Sequence, residues 1–173
     1  DGSSSWVEGK VNGGIQLDGT NDYLAIKTLN YTQAGQIPAV TVAAWVKTDK
    51  ASEGMIISYD RSEYWRFSVG GSSNNGKMFF ATKASSQADT YSQSVVSDNA
   101  WHLVVVSYDS STSLKKFYLD GAADGSSSVH GNEALGTGKS RFGTIGVLCE
   151  DNAFNQMDNN SRSHFFQGIL IDL

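Results

Sequence analysis

The chain has 173 residues, with 13 Lys and Arg against 18 Asp and Glu, a formal net charge of −5 and a pI near 5.0. That balance argues against a nucleic-acid partner, because phosphate binding is carried by clustered Lys and Arg. Charged residues are only 18%, against roughly 25% in ordinary soluble domains, and with 18 Gly, one Pro and 11% aromatics the chain reads as turn-rich and all-β rather than helical.

Short alternating or β-branched runs recur along the chain, and no helix-period segment of any length interrupts them. The expected strands are Gly14–Leu17, Asp22–Ile26, Val40–Lys47, Met55–Tyr59, Tyr64–Val69 and Lys77–Thr82, then Tyr91–Val96, Trp101–Tyr108, Lys115–Leu119, Arg141–Val147 and Phe166–Asp172. Turn clusters such as Asp18-Gly-Thr-Asn, Asp109-Ser-Ser-Thr-Ser and Asp120-Gly separate them. The pattern predicts a two-sheet antiparallel β-sandwich or jelly roll in one domain, residues 1–173. In Tyr64–Val69, alternation puts Trp65, Phe67 and Val69 inside and Tyr64, Arg66 and Ser68 on a polar outer face. By contrast, Val40–Val46 and Leu103–Val106 are apolar on both faces and are expected mid-sheet, covered on both sides. Lys27–Ile37 and Leu148–Ser163 read as loops, the second rich in Asp, Asn and Gln and longer than a hairpin needs.

The single Cys149 forbids an internal disulfide and reads as a small buried hydrophobe. No apolar run approaches the ~18 residues of a membrane span. The opening Asp1-Gly-Ser-Ser-Ser has no signal-peptide pattern, so the start does not reveal the compartment.

Several segments, taken in order, resemble the laminin-G-like, concanavalin A-like jelly-roll domains. They are Trp6-Val-Glu-Gly-Lys through Asp22-Tyr-Leu, Thr41-Val-Ala-Ala-Trp-Val-Lys, Trp101-His-Leu-Val-Val-Val-Ser-Tyr-Asp, Phe117-Tyr-Leu-Asp-Gly, Ile145-Gly and Phe166-Gln-Gly-Ile-Leu-Ile-Asp. The resemblance covers essentially the whole chain. It implies a concanavalin A-like sandwich, cut from a larger extracellular or cell-surface protein, with Leu148–Ser163 as an insertion. Trp45 and Trp101 are large enough to bridge two sheets and are expected to be structural. His102 is expected to pair with a backbone group or neighbouring side chain, and His130 and His164 to lie exposed in polar loops.

Glucanases share this fold, and glycoside hydrolysis needs two carboxylates ~5–10 Å apart. The E-x-D-x-x-E strand pattern implied by that likeness is absent, and Asp60 and Glu63 flank a turn. No G-x-S-x-G elbow occurs. The expectation is a non-catalytic module, with a polysaccharide hydrolase or lyase as the remote alternative.

Three constellations are candidates for binding. Asp18, Asn21 and Asp22, with Asp172 from the other end of the chain, supply the oxygens that calcium prefers, and related domains often hold that ion; the bland alternative is turn hydrogen bonding. Asp151, Asn152, Phe154, Asn155 and Asp158 place amides and carboxylates around an aromatic, the chemistry that reads sugar hydroxyls; the same composition also suits a solvated loop. Asp60, Tyr64 and Arg66 form the third set, with an Asp60–Arg66 surface pair as its bland reading. Asn30-Tyr-Thr32 and Asn159-Asn-Ser161 match the glycosylation acceptor pattern. The reading is a calcium-assisted carbohydrate or glycoconjugate binder; the alternative is a structural or adhesion domain contacting a protein surface.

Overall fold

In a computed structural model, residues 5–31, 36–71, 75–157 and 162–171 are described. The strands are β1 (Ser5–Glu8), β2 (Gly13–Asp18), β3 (Leu24–Tyr31), β4 (Ala39–Lys47), β5 (Gly54–Ser58), β6 (Trp65–Val69), β7 (Lys77–Lys83) and β8 (Gln87–Val95). They continue as β9 (His102–Asp109), β10 (Leu114–Leu119), β11 (Ala122–Ser128), β12 (Arg141–Ile145), β13 (Asp151–Ala153), β14 (Gln156–Met157) and β15 (Gln167–Ile171), with a 3-10 turn at His130–Asn132. One sheet has seven strands in the order β1-β2-β15-β4-β9-β10-β11. The other has eight, ordered β14-β13-β12-β5-β6-β7-β8, with β3 paired to β12. Every pairing is antiparallel.

The core lies between the sheets. Val46, Val104, Val106 and Phe117 come from the seven-stranded side, and Ile56, Trp65, Phe67, Met78 and Phe80 from the eight-stranded side. Edge-on contacts of Phe80 with Trp65 and Phe67, at 6.2 and 6.4 Å between ring centres, knit this layer. Turn chemistry is local and behaves as the Asp-Gly pairs predict: Asp120 and Gly121 take φ of 51° and 85° between β10 and β11.

The burial pattern is the reverse of the expectation. β6 is buried at every position, as are β5 and all of β7 but its two end residues. β4 and β9 alternate instead, with Ala44, Val46, Val104 and Val106 inward and Thr41 and Ala43 outward. Alternation shows that a strand has two faces but not which sheet receives a second cover. Here Glu53, Cys149 and His164 lie against the outer face of the eight-stranded sheet. The seven-stranded sheet keeps an open outer face, so its small apolar residues face solvent. Trp45 follows that geometry: it alternates outward beside Lys10, whose ammonium lies 5.9 Å over its ring, and neither it nor Trp101 joins the core cluster. The expected Lys27–Ile37 loop is strand through Tyr31, because Leu29 and Tyr31 pack on the core. β1, β11 and the β13–β14 pair carry little apolar alternation and were not expected. β11 is held by pairing to β10 and by Asp124, whose carboxylate accepts from the Ser94 backbone at 3.2 Å and the Ser94 hydroxyl at 2.7 Å.

His102 clamps one end of the seven-stranded sheet. Nδ1 lies 2.8 Å from Asp120 Oδ2 and Nε2 lies 3.1 Å from Asp98 Oδ1, so both nitrogens face carboxylates and the ring is an imidazolium. Burial alone would lower its pKa, but the hydrogen bonds from both carboxylates overcome that and leave it raised. A base with a raised folded-state pKa adds stability that is fully present below its unfolded pKa of 6.5 and is lost as pH rises through the folded value. His102→Gln should therefore cost more stability at about pH 5.5 than at about pH 8.5 in urea titrations. In the core, Phe67→Ala should cost about 3–5 kcal/mol, whereas Thr41→Ala on the open face should stay within about 0.5 kcal/mol.

Candidate functional site

Cross-strand register sets out the outer face of the eight-stranded sheet. Thr144 pairs with Ser58, Ser58 with Arg66, Arg66 with Ala81 and Ala81 with Asp89. A parallel row runs from Met55 through Ser68 and Phe79 to Tyr91. Arg66 sits on this face at 9% exposure. Its guanidinium lies 5.4 Å over the Phe79 ring and 3.2 Å from Glu53 Oε1, while its Nε is buried with no hydrogen-bond partner. Burial lowers the Arg66 pKa, and Glu53 opposes that. Ser68 donates to the same Glu53 oxygen at 3.4 Å, and His164 Nε2 lies 3.6 Å from the other. The half-buried Tyr91 ring stacks on Phe79 at 4.7 Å. Beside it, Arg61 and Asp89 form an exposed pair at 2.9 Å.

The expected Asp60–Tyr64–Arg66 set does not assemble. Asp60, at φ 67°, is buried in the β5–β6 turn, and its Oδ2 accepts from Arg141 Nε at 2.8 Å. Tyr64 turns into the core and donates its hydroxyl to the Lys139 carbonyl at 2.7 Å. Neither Asp60 nor Tyr64 shares a face with Arg66, so the expected Asp60–Arg66 pair is corrected to Asp60–Arg141 and Arg66–Glu53. Glu63 is likewise engaged, accepting from Lys139 at 2.7 Å and from the Thr137 hydroxyl. Asp60, committed to the buried Arg141, and Glu63, committed to Thr137 and the exposed Lys139, are structural ties.

The Leu148–Ser163 insertion crosses the β12 end of the same face. Its ends are joined by the Leu148–Ser163 bridge. The Cys149 thiol is buried 3.2 Å from the Ser58 carbonyl and 3.4 Å from that of Phe142. Within it, β13 and β14 form a hairpin whose tip is Phe154-Asn155, with Asn155 at φ 54°. Arg162 is the hub of the insertion: it donates to Tyr23, Asp151 and Asn155, each at 3.0 Å, and its guanidinium lies 4.3 Å over the Tyr23 ring. Asp151 is fully buried. Burial raises its pKa, with Arg162 pulling the other way. Asn155 is therefore a brace rather than a free amide, since its Oδ1 also accepts from Tyr23 at 3.0 Å. Phe154 stays 40% exposed, edge-on to Phe142 at 6.4 Å, and Asn152 is exposed next to it. Asp158 and the Asn159-Asn-Ser161 acceptor lie outside the described residues.

Residues 18–165 match the family model of the concanavalin A-like lectin/glucanases superfamily, laminin-G type. The chain belongs to that superfamily. The same fold is found in domain 4 of AbnA, a GH43 extracellular arabinanase from Geobacillus stearothermophilus, in complex with arabinotriose: TM-score 0.66 and 15% identity over 98% of this chain and 73% of that one. The CBM40 of the Ruminococcus gnavus IT-sialidase, bound to α2,3 sialyllactose, gives 0.65 and 12% over 91% of this chain and 85% of that one. Domains LG4-5 of the mouse laminin α1 chain give 0.63 and 18%, over 98% of this chain and 42% of theirs. No curated protein sequence matches significantly.

In this superfamily member, the proposed calcium set is mostly consumed by its own turn. Asp18 Oδ1 accepts the backbone N–H groups of Thr20 at 2.8 Å, Asn21 at 3.2 Å and Asp22 at 3.4 Å, which lowers the Asp18 pKa. Asp22 Oδ2 accepts from the Asp18 backbone, and only its buried Oδ1 has no partner. Among the described residues, no three His, Cys, Asp or Glu are grouped to hold a metal ion. Asp172, the fourth member of the proposed calcium set, lies outside the described residues.

Sequence reasoning missed Glu53, Phe79, Tyr91, Tyr23 and Arg162. One signal was available, since Arg162 is the only Lys or Arg within an acidic and amide-rich insertion. The expected exposure of His130 is also corrected, because its ring packs edge-on to Tyr108 at 5.7 Å. Removing Arg162 leaves Asp151 buried and unpaired, so Arg162→Ala should cost about 3–5 kcal/mol. Adding Asp151→Ala should recover most of that loss, as read from urea midpoints at unchanged m-value.

Proposed function

We propose that the domain is a non-catalytic recognition module for carbohydrate or glycoconjugate, within an extracellular or cell-surface protein. The observation that carries this reading is the pair of available aromatic rings on one sheet face, Tyr91 at β8 and Phe154 on the hairpin beside β12. Each is accompanied by polar side chains: Arg61, Asp89, Glu53 and Arg66 on one side, Asn152 on the other. Apolar ring faces take the C–H side of a sugar while amides, carboxylates and guanidinium groups read its hydroxyls. From β13, next to Phe154, to β8, which carries Tyr91, is five strand spacings or about 24 Å. A ligand touching both is an oligosaccharide rather than a single sugar. Fold-mates in complex with arabinotriose and sialyllactose support the class of ligand without naming it.

One observation favours a second reading as an adhesion domain. Trp6 is 80% exposed beside an apolar cleft of about 290 Å³ lined by Ile15, Leu24, Ile145, Leu170 and Ile171. Such a surface suits protein contact.

A glycan array with and without chelator tests the first reading and whether calcium takes part. Binding should appear and should fall at least about tenfold, or about 1.4 kcal/mol, in Phe154→Ala and in Tyr91→Ala, with the melting point of Phe154→Ala unchanged. Silence on the array in both conditions would sink it. Pull-down of a protein that free sugars do not displace, lost in Trp6→Ser, would favour the second reading.

A further inference from the structure

Between the sheets lie two basic groups, Lys115 and His130, with no carboxylate hydrogen-bonded to either. Lys115 on β10 is completely buried. Its ammonium donates to the carbonyls of Phe80 at 2.8 Å and Ala88 at 2.7 Å and lies 5.1 Å over the Phe80 ring. Thr82 donates its one hydroxyl hydrogen to the same Ala88 carbonyl at 3.4 Å. His130 Nε2 lies 2.7 Å from the Thr82 oxygen. With its proton on Nε2 the neutral ring leaves no buried N–H unpaired, whereas a proton on Nδ1 would have no acceptor. Nδ1 is buried and has no partner.

A second proton on His130 would go to Nδ1, creating a buried N–H with nothing to receive it. The surrounding charge makes this worse. Lys115 faces the ring from β10 and Lys83 from β7, while Glu133 on the same segment attracts it. The Glu133 carboxylate is held by the Ser85 backbone at 2.9 Å. From β9 comes the Tyr108 ring, whose hydroxyl donates to the Glu133 carbonyl at 2.5 Å. Asp89, the carboxylate on β8 acting on Lys115, is paired with Arg61. The backbone stores tension at the same place, with His130, Gly131 and Asn132 all left-handed at φ 63°, 49° and 69°.

We propose that His130 and Lys115 form an acid-sensitive latch, in which protonation of the His130 ring releases residues 129–137 from the end of the sandwich. Release breaks the ties of Val129 and Asn132 to Ser113, Asn132 to Ser111, Leu135 to Ile37, Tyr108 and Ser85 to Glu133, Gly136 to Lys83 and Thr137 to Glu63. It bares the fully buried Leu135 and the Tyr108 ring. The titrations run in the same direction. Burial lowers the Lys115 pKa from 10.5 to about 7, and burial with repulsion from Lys115 lowers that of His130 from 6.5. For both bases the released state binds more protons, so the closed state weakens as pH falls.

The test is hydrogen exchange of residues 129–137, corrected for intrinsic rates, at about pH 8 and about pH 5. Protection should drop at least about tenfold on acidification, while β5 to β7 stay protected. His130→Asn tolerates the left-handed backbone and does not titrate, so only the Lys115 linkage remains and its protection should fall clearly less on acidification than in the wild type. Lys115→Met removes the repelling cation, which brings the closed-state pKa of His130 back toward its released value, and it also removes the Lys115 titration, so acid should open the segment less and at lower pH. In the wild-type protein, the NMR titration of the His130 ring should share its midpoint with the opening. Unchanged wild-type protection, equal loss in His130→Asn, or a ring titration separate from the opening would each overturn the latch.

Discussion

The structure depends on pairing each charge that the eight-stranded sheet carries into its interior. Because β5, β6 and the middle of β7 are covered on both faces, groups that a half-open sheet would leave in water are desolvated. Asp60, Glu63, Arg66, Arg141 and Asp151 on that sheet and its turns, and Lys115 facing it from β10, are all buried in a chain that is poor in charge overall. An isolated buried charge is costly, so each needs a partner placed by the fold. Asp60 takes Arg141, Arg66 takes Glu53 and Asp151 takes Arg162. Lys115 has only carbonyls, and it is the base whose pKa falls furthest toward neutrality. These pairs join β5, β6 and β12 to the insertion and so fix where the outer face opens.

How much of this was legible in the sequence follows from how local each cause is. Asp18-Gly19 and Asp120-Gly121 were readable because a tight turn needs positive φ within a few residues. Strand existence was readable from alternation and β-branching. The second cover was not, since the residues that bury Arg66 and Ser68 come from Glu53 and from His164, near the other end of the chain. β11 was missed because Ala-Ala-Asp-Gly-Ser-Ser-Ser has no apolar period, and it is held by pairing to β10 and by the Asp124–Ser94 hydrogen bonds.

The candidate site divides along the same line. Phe154 and Asn152 stood out because an aromatic among amides in a long insertion is visible one residue at a time. Asn155 and Asp151 looked equivalent to them but serve as supports. What distinguishes them is Arg162, 11 residues from Asp151 and 139 from its other partner, Tyr23. Asp60 and Tyr64 were grouped with Arg66 by nearness in sequence. A left-handed residue at Asp60 reverses the chain there, and Tyr64 then enters the core while Arg66 goes outward.

Two half-buried histidines, His102 and His130, show how the same side chain acquires opposite pH behaviour from its neighbours. His102 meets carboxylates on both nitrogens, so the charged ring is the one the fold prefers. His130 meets a hydroxyl on one nitrogen and nothing on the other, beside a buried ammonium, so the neutral ring is preferred. Acid therefore tightens the Asp98–His102–Asp120 clamp and loosens the segment after β11. Whole-molecule stability would show only the sum of these opposed contributions. Their separation in space, at the β9–β10–β11 turn on one side and the His130–Asn132 turn on the other, is what allows a local release while the sheets stay paired.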